Sequence, residues 1–357
     1  MAGIFHIHML PARQGDCLWI EYGDALNPNR ILIDGGTPGT YPIIHQRLQI
    51  LPQNERRFEQ LIVTHVDSDH IGGVLDLLIQ DDGEATFGDI WFNAWKHLPS
   101  SGLEPLGPPQ GEELSTFLEN IPQTWNKYFK HKRACFSTTG PLPTSDLPGG
   151  MRLTLLSPGF TELKRLRPYW ADECKKAGLI PGQPATSSHP APPGFEPMGP
   201  VNINQLAQEA YKSDESPANG SSIAILAEFG GKRILLAGDA YADVLLKSIK
   251  RLVPTDDRLH LDAFKLPHHG SKYNLSRELL EKLDCKRYLF STDGTQFRHP
   301  DRQTVARVIK FGGPHPELLF NYRSEFNKLW DNKHWMEQYG YSVHFPDEGQ
   351  EGLEVNL

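Results

Sequence analysis

The feature that most constrains this chain is a group of metal-binding residue types directly behind an apolar run. Residues 61–74 read LIVTHVDSDHIGGV, with two histidines and two aspartates between positions 65 and 70. Ionisable side chains are costly to remove from water unless they are paired or bind a cation. Their crowding behind an apolar strand therefore predicts a metal site. Imidazole and carboxylate without thiolate indicate Zn²⁺, Mn²⁺ or iron rather than a cysteine-type structural zinc.

The same arrangement, an apolar run that ends in a metal-binding residue type, recurs along the chain. RILIDGG ends at Asp34, RILLAGD ends at Asp239, and HLDAFKLPHHGS ends in the pair His268–His269. A further apolar run, KRYLFSTDG, is followed by His299. Four ligands within six positions do not complete two metal sites, so we expect the other strand ends to supply the rest.

Hydrophobic periodicity predicts strands alternating with helices in the first hundred residues and a return to strands after 222. The segment 222–239 reads as a hairpin that turns at Gly230–Gly231. Helices are predicted at 41–51, 71–80 and 112–130, and the C-terminal stretch is predicted as strand, helix and strand. Residues 181–200 contain seven prolines and predict an irregular loop. We expect one domain over 1–357, with an irregular insert at about 98–220.

Composition argues against several classes of protein. The net charge of −8 gives no global basic field of the kind that nucleic-acid-binding domains carry. The four cysteines have no CxxC spacing, and no apolar run approaches the length of a membrane span. With no signal-peptide pattern at the N-terminus, a cytoplasmic protein that does not enter a membrane is expected. Two basic and aromatic stretches, 125–133 and 163–170, fit either a nucleic-acid contact or a solvated helix face, which we favour.

The motifs together resemble the metallo-β-lactamase fold. HVDSDH followed by IGG resembles its HxHxDH signature with Asp67 in place of the middle histidine, and RILLAGD resembles the strand whose aspartate bridges two metals. LPHHGS and the His299–Pro300 pair, with QGDC, MRLTLLSP and NGSS, resemble the branch that contains the hydrolase domain of ComEC/Rec2 competence proteins. The resemblance covers roughly residues 4 to 300. It implies an α+β fold, a four-layer αββα sandwich of two mixed sheets with helices outside.

The resemblance also implies a dinuclear centre of two divalent cations, Zn²⁺ or Mn²⁺. One cation would be held by His65, Asp67 and one histidine of the adjacent pair, with His269 preferred. The other would be held by Asp69, His70 and His299, and Asp239 would bridge the two. His268 would then act as a proton donor, and Asp69 is the other residue assigned to catalysis. The histidines that precede Asp239 in the middle of the chain are expected at the surface: His97, His131 and His189.

Supporting roles are expected for further residues around this centre. Asp34, and Asp16 in the same way, would orient ligand histidines through hydrogen bonds. Asn219 and Ser222 match an N-x-x-S element of the ComEC-like branch, and with Lys272 they are candidates for substrate contact. A purely structural role for Asn219 and Ser222, capping the strand that follows, is an equal alternative.

The function expected from these motifs is hydrolysis by a hydroxide that bridges two cations about 3.5–4 Å apart. The leading substrate is a phosphodiester, with a nucleic acid or a small phosphodiester as the partner. An alternative is an esterase for small molecules, acting on a lactone, another carboxylic ester or a phosphorylcholine-type ester. A further alternative is a module that binds a nucleotide without catalysis. The oligomeric state does not follow from the sequence.

Overall fold

The computed structural model describes residues 3–80, 85–99, 109–177, 201–253 and 257–357. The predicted proline-rich loop over 181–200, which includes His189, lies outside these ranges. Within them, no helix is long and apolar enough to cross a membrane.

The first half of the chain builds most of one mixed sheet. In β1 the buried Phe5, Ile7 and Met9 alternate with the partly exposed His6 and His8, whereas β5 is buried on both faces. The strands are β1 (Ile4–Met9), β2 (Leu18–Asp24), β3 (Asn27–Ile33), β4 (Arg57–Phe58), β5 (Gln60–Ile62), β6 (Thr86–Phe87) and β7 (Ile90–Trp91). The sheet has the order β16-β1-β2-β3-β5-β7, with the C-terminal β16 (Leu353–Asn356) at its edge, and β4 pairs with β6 separately.

The second sheet has eight strands in the order β15-β14-β13-β12-β11-β10-β9-β8. The predicted hairpin is confirmed, since β10 and β11 pair antiparallel across Gly230–Gly231. From β11 to β15 the neighbouring strands run parallel, so their carboxyl ends share one edge. The strands are β8 (Thr144–Asp146), β9 (Arg152–Ser157), β10 (Ala224–Phe229), β11 (Lys232–Leu236), β12 (Leu259–Lys265), β13 (Leu283–Phe290), β14 (Glu317–Phe320) and β15 (Ser342–His344).

Helices cover the outer faces of both sheets. They are α1 (Tyr41–Ile50), α2 (Ser68–Gln80), α3 (Pro109–Glu119), α4 (Phe160–Ala177), α5 (Ile203–Gln208), α6 (Pro217–Gly220), α7 (Ala242–Leu252), α8 (Arg277–Glu281), α9 (Arg302–Phe311) and α10 (Lys333–Tyr339). Apolar residues of α1 to α4 pack on the first sheet, and those of α7, α8 and α9 pack on the second.

A third apolar cluster lies between the sheets. It joins residues such as Ile7 and Ile20 of the first sheet to Leu153, Ile225 and Ile234 of the second. Three apolar layers between four layers of secondary structure define an αββα sandwich, so the predicted α+β fold class is confirmed. The strands β8 and β9 lie inside the range of the predicted insert and belong to the second sheet, and β9 coincides with MRLTLLSP, whose alternation is typical of a strand.

One predicted helix is longer than the observed one. The prediction covered 112–130, whereas α3 ends at Glu119. Pro122 has no amide hydrogen to continue the helix. Beyond it, Trp125 is buried and donates its indole N–H to the carbonyl oxygen of Phe92 at 3.0 Å. Burial of this side chain on the first sheet takes the place of a further helical turn.

Candidate metal centre

The residues predicted to bind metal converge where the strands of both sheets end. His65 follows β5, Asp69 and His70 lie in the first turn of α2, and Asp239 follows β11. His268 and His269 follow β12. Because each residue sits just beyond a strand that is buried in the sandwich, both sheets deliver side chains to one place.

Close contact between backbones holds α2 against the loop behind β3. The amide of Gly35 donates to the carbonyl oxygen of His70 at 2.8 Å, and the amide of Gly73 donates to that of Gly36 at 3.2 Å. A Cβ atom on Gly73 would lie 2.1 Å from the Gly35 carbonyl oxygen. The glycines of IGG and DGG therefore allow the approach that brings His70 to Asp34.

The carboxylate of Asp239 lies at the middle of the cluster and presents one oxygen to each half. Its Oδ1 is 3.3 Å from His70 Nε2 and 3.8 Å from His269 Nε2. Its Oδ2 is 3.8 Å from His65 Nε2 and 3.7 Å from His268 Nε2. Asp239 is thus placed between two sets of donor atoms.

The two aspartates of the HVDSDH motif add one carboxylate to each set. Asp67 Oδ2 is 3.5 Å from His65 Nε2, and Asp69 Oδ2 is 3.8 Å from His269 Nε2. His269 Nε2 is also 3.2 Å from His70 Nε2. By the oxygen of Asp239 that each histidine faces, we group His65, Asp67 and His268 as one set and Asp69, His70 and His269 as the other. The two sets adjoin, since the rings of His65 and His70 are 4.2 Å apart.

This grouping differs from the one expected from the sequence. His269 was expected beside His65 and Asp67, but its Nε2 lies near Asp69 and His70, while His268 shares Oδ2 of Asp239 with His65. Both histidines adopt left-handed backbone conformations, with φ of 48° and 54°. Two successive residues in that conformation direct adjacent side chains to different halves of the cluster, which residue spacing does not reveal. Such backbone strain is typical of functional sites.

The spacing of the donor atoms fits a cation better than hydrogen bonds. Most contacts within the two sets span 3.3 to 3.8 Å, beyond the usual hydrogen-bond range of about 2.7–3.2 Å. Two donors bound tetrahedrally to one cation at about 2.0–2.2 Å lie roughly 3.3–3.6 Å apart. His65 Nε2 and Asp239 Oδ1 are buried and have no hydrogen-bond partner among the described residues. The donor set therefore fits divalent cations.

Hydrogen bonds behind the histidines hold their other ring nitrogens. Asp34 Oδ2 is 2.8 Å from His70 Nδ1. Thr64 Oγ1 donates to this same carboxylate oxygen and is 3.0 Å from His65 Nδ1. His269 Nδ1 donates to the carbonyl oxygen of Ser291 at 3.0 Å. With Nδ1 as the donor, Nε2 of each ring is left as a lone-pair donor toward the cluster.

His268 has its own supporting group. Its Nδ1 donates to Asn274 Oδ1 at 2.9 Å and lies 3.4 Å from Asp214 Oδ2. Asp214 also accepts hydrogen bonds from the side-chain amides of Asn219, at 2.7 Å, and Asn274, at 3.0 Å. Asn219 is therefore part of the scaffold behind His268. Ser222 is fully buried and its Oγ accepts from the amide of Asp239 at 3.0 Å, which favours the structural alternative for this residue.

The electrostatics of the cluster reflect dense opposite charges in a buried place. Burial would raise the pKa of Asp239, but His70, His268 and His269 hold it well below its usual value. Burial would lower the pKa of His268, but Asp239 and Asp214 raise it to about 9. The centre therefore favours ionised carboxylates facing positive charge.

Asp16 lies beside His269 and forms a buried ion pair with Lys265. Its Oδ1 is 3.4 Å from His269 Nδ1. Burial would raise the pKa of Asp16, but Lys265 and His269 hold it below its usual value. Lys265 was not predicted from the sequence, although a single lysine inside the apolar run LDAFKL is a signal of such a partner.

His299 and Lys272 lie at the margin of the cluster. The ring of His299 is 5.4 Å from that of His268, and its Nδ1 is 3.7 Å from Asp301 Oδ2. Burial, with His268 and His269 nearby, holds the pKa of His299 well below its usual value. Lys272 is half-buried, and its backbone amide donates to Asp301 Oδ2 at 2.7 Å. His299 thus packs against His268 rather than grouping with Asp69 and His70 as expected.

Two of the three histidines expected at the surface lie within the described residues. His131 is exposed. His97, in contrast, is buried, with its ring 4.8 Å from that of Trp125 and its Nδ1 accepting from the amide of Ala94 at 3.2 Å. The expectation for His97 was wrong, because a short helical turn after β7 directs this side chain against the buried tryptophan.

Tyr169 of α4 is a further residue that the motif-based reasoning did not assign. It is half-buried, and the negative charge of Asp67 contributes, after burial, to raising the pKa of its hydroxyl group. A Cβ atom on Gly111 would lie 3.0 Å from Trp170 of α4 and 3.2 Å from Val66, so α4 lies beside the HVDSDH segment. The side chains of Asp67 and His268 are 38% and 25% exposed, so the cluster opens to solvent on this side.

Comparison with known proteins supports the broader part of the resemblance. Residues 10–85 match the family model described as the Metallo-beta-lactamase superfamily. The matched segment contains Asp16, Asp34 and the HVDSDH motif. A search of curated proteins found no significant match. The narrower resemblance to ComEC/Rec2 proteins stays a prediction.

Among solved structures, similar chains include CmlA, a diiron β-hydroxylase from Streptomyces venezuelae, and the metallo-beta-lactamase fold protein YhfI from Bacillus subtilis. CmlA is 12% identical with a TM-score of 0.40, and the match covers 99% of this chain and 54% of CmlA. This chain therefore spans about half the length of CmlA. YhfI is 10% identical with a TM-score of 0.39, and the match covers 100% of both chains. Likenesses this low carry no conclusion about function.

Proposed function

We propose that this protein is a dinuclear metal-dependent hydrolase that cleaves phosphodiester bonds, those of DNA or another nucleic acid. The observation that carries the proposal is the position of Asp239, with one carboxylate oxygen toward each of two sets of imidazole and carboxylate donors. Two divalent cations, Zn²⁺ or Mn²⁺, would supply an activated water and would polarise the substrate oxygen.

In this proposal each set of donors holds one cation, and Asp239 contributes to both. In this proposal His268 is a ligand through Nε2 rather than a proton donor, because that atom lies 3.7 Å from Asp239 Oδ2 on the side that His65 also faces. Asp34 and Thr64 fix the tautomers of His70 and His65. Asp16 and Lys265 do not bind a cation but hold His269 in position.

Two features favour a phosphodiester as the substrate. The donor set contains three carboxylates, Asp67, Asp69 and Asp239, and oxygen-rich sites accept Mn²⁺ as well as Zn²⁺. In addition, Lys127, Lys130 and Lys132 are exposed in the stretch 125–133. That stretch continues to Ala134, whose amide donates to Asn93 Oδ1 at 2.8 Å just beyond β7. At the other end of β7, the amide of Lys127 donates to Asp89 Oδ1 at 2.8 Å, so the basic stretch runs beside this edge strand of the first sheet.

The first test compares two His–Asp pairs in the same protein. Asp69→Ala with His70→Ala should abolish hydrolysis of bis-p-nitrophenyl phosphate and should reduce the bound metal measured by mass spectrometry. The matched control is Asp284→Ala with His260→Ala, since that pair is exposed and its side chains are 3.0 Å apart. The control should keep both metal and activity. Hydrolysis that survives in the first variant, with its circular dichroism unchanged, would contradict the dinuclear mechanism.

The second test addresses the substrate class. Neutralising Lys127, Lys130, Lys132 and Arg133 should weaken cleavage of DNA and flatten its salt dependence, while hydrolysis of a small diester is spared. The control neutralises four exposed lysines on the helices of the opposite outer layer: Lys247, Lys250, Lys310 and Lys333. Equal loss of both activities would make the stretch structural. Hydrolysis of a small ester without DNA cleavage would favour the esterase alternative. Nucleotide binding without hydrolysis would favour the alternative of a module that binds a nucleotide without catalysis.

A further inference from the structure

A second group of metal-binding side chains lies on the outer face of the first sheet, away from the candidate centre. His6 and His8 alternate with the buried residues of β1, so both point outward on the same side. Glu354 of β16 lies directly opposite His8 in the strand pairing. The ring nitrogens of the two histidines and a carboxylate oxygen of Glu354 lie within 4.8 Å of one another.

The carboxylate of Glu354 presents one oxygen to each imidazole. Its Oε1 is 3.7 Å from His6 Nδ1, and its Oε2 is 3.5 Å from His8 Nδ1. These separations exceed those of good hydrogen bonds and are near the roughly 3.3–3.6 Å expected between two ligands of one tetrahedral cation.

The other nitrogen of His8 faces a second carboxylate. His8 Nε2 is 3.5 Å from Glu21 Oε2, and Arg30 donates to Glu21 Oε1 at 2.9 Å. Arg30 thus holds the carboxylate of Glu21 in place. That carboxylate in turn favours the tautomer of His8 that carries its proton on Nε2. That tautomer leaves the lone pair of Nδ1 toward Glu354. A carboxylate behind a ligand histidine is a common arrangement at metal sites.

We infer that His6, His8 and Glu354 form a binding site for one divalent transition-metal cation. Two imidazoles and one carboxylate suit Zn²⁺, Ni²⁺ and, most strongly, Cu²⁺. Because His6 and Glu354 are about 30% and 48% exposed, the site is open to solvent, and we expect weaker binding than at the buried centre.

A cation at this site would link two distant parts of the chain. β16 is the last strand, and it lies at the edge of the first sheet with β1 as its partner. A ligand that binds only the folded state stabilises it. The cation would therefore fasten β16 to β1 and would increase the hydrogen-exchange protection of residues 353–356.

The test titrates Cu²⁺ into protein that already contains zinc, and the bound zinc is measured before and after, so that any exchange at the candidate centre is detected. We expect one equivalent with an electron paramagnetic resonance spectrum that shows coupling to two imidazole nitrogens, and slower amide exchange in β16. His6→Gln with His8→Gln should remove both effects and weaken Cu²⁺ binding at least tenfold. The control is His260→Gln, which removes an exposed histidine beside a single carboxylate.

Two results would overturn the inference. One is unchanged Cu²⁺ binding in the double variant, and the other is wild-type binding without the two-nitrogen coupling. Hydrolysis of bis-p-nitrophenyl phosphate by the double variant reports separately on the candidate centre. Its retention is expected, so failure of this site and failure of the proposed function are distinguishable.

Discussion

At the scale of single residues, Asp34 shows how one carboxylate organises the candidate centre. Its Oδ1 accepts from the amide of Thr64 at 2.7 Å, and its Oδ2 accepts from Thr64 Oγ1 and faces His70 Nδ1. Asp34 is buried and adopts φ of 56°. It therefore fixes the strand end that carries His65 and the ring of His70 together.

Replacing this carboxylate tests that role. Asp34→Asn keeps the shape, and asparagine tolerates the left-handed backbone, but it accepts fewer hydrogen bonds. We expect zinc affinity to fall 10–100-fold, the usual effect of losing such a partner. Competition with a chromophoric chelator measures this affinity, and Asp24→Asn, at the exposed end of β2, is the control. Equal zinc affinities for Asp34→Asn and the wild type would show that Asp34 does not orient ligands.

His97 gives a prediction about pH. Burial, with Lys96 and Arg133 nearby, lowers the pKa of His97 from 6.5 to about 3. Below pH 6.5 the unfolded chain takes up a proton at this position while the folded chain does not, so this residue makes stability fall as the pH drops toward 3. The free energy of unfolding of His97→Gln should depend less steeply on pH between 6.5 and 4 than that of the wild type or His131→Gln. The same slope in all three would contradict a neutral buried His97.

The residues that the sequence allowed us to predict are those at strand ends. Asp34, His65, Asp239 and the histidine pair stand directly behind apolar runs, and parallel strands bring such ends together. The residues it did not reveal act through contacts far apart in the chain. Asp214 and Asn274 support His268 from two different loops, and no local pattern marks either one.

At the scale of elements, the ion pair of Asp16 and Lys265 connects the loop between β1 and β2 to the end of β12. The two side chains are at most 2% exposed. Removing one partner of a buried ion pair costs about 3–5 kcal/mol, because the other charge stays buried without compensation. The pair thereby fixes how the two sheets meet beside His269.

A double-variant cycle tests this connection. Lys265→Met should lower the free energy of unfolding in urea by about 3–5 kcal/mol. Adding Asp16→Asn should recover most of that loss, because the uncompensated charge is gone. Additive losses in the double variant would show that the two residues do not stabilise the fold as a pair.

Elements with strong periodicity were predictable, and those set by tertiary packing were not. The hairpin at Gly230–Gly231 and the helices α1 and α2 follow from local pattern. Helix α3 ends at Glu119, and the position of that end depends on the burial of Trp125 against the first sheet. This is a tertiary contact, so the local pattern of the helix does not reveal it. The same limit applies to His268 and His269, whose directions are set by a left-handed turn.

At the scale of the whole molecule, the candidate centre joins side chains from both sheets. Cations bound there would oppose separation of the sheets on unfolding. At a free concentration 100 times the dissociation constant, each bound cation adds about 2.7 kcal/mol to stability. We therefore expect chelation to lower the melting temperature of the wild type and to have less effect on Asp239→Asn. Equal melting temperatures with and without chelator would contradict metal binding that is coupled to the fold.

The convergence of candidate ligands from two sheets was foreseeable from the order of motifs, since each motif ends a strand. Which residues would share a cation was not foreseeable, because it depends on which oxygen of Asp239 each histidine faces. That grouping is the central claim about this molecule.

The most direct test of it is a crystal structure of the zinc-loaded protein with anomalous diffraction recorded at the zinc edge. We predict two peaks, one on each side of the Asp239 carboxylate. The first should lie among His65, Asp67 and His268, and the second among Asp69, His70 and His269. A single peak, or a peak that pairs His269 with His65 and Asp67, would contradict the account.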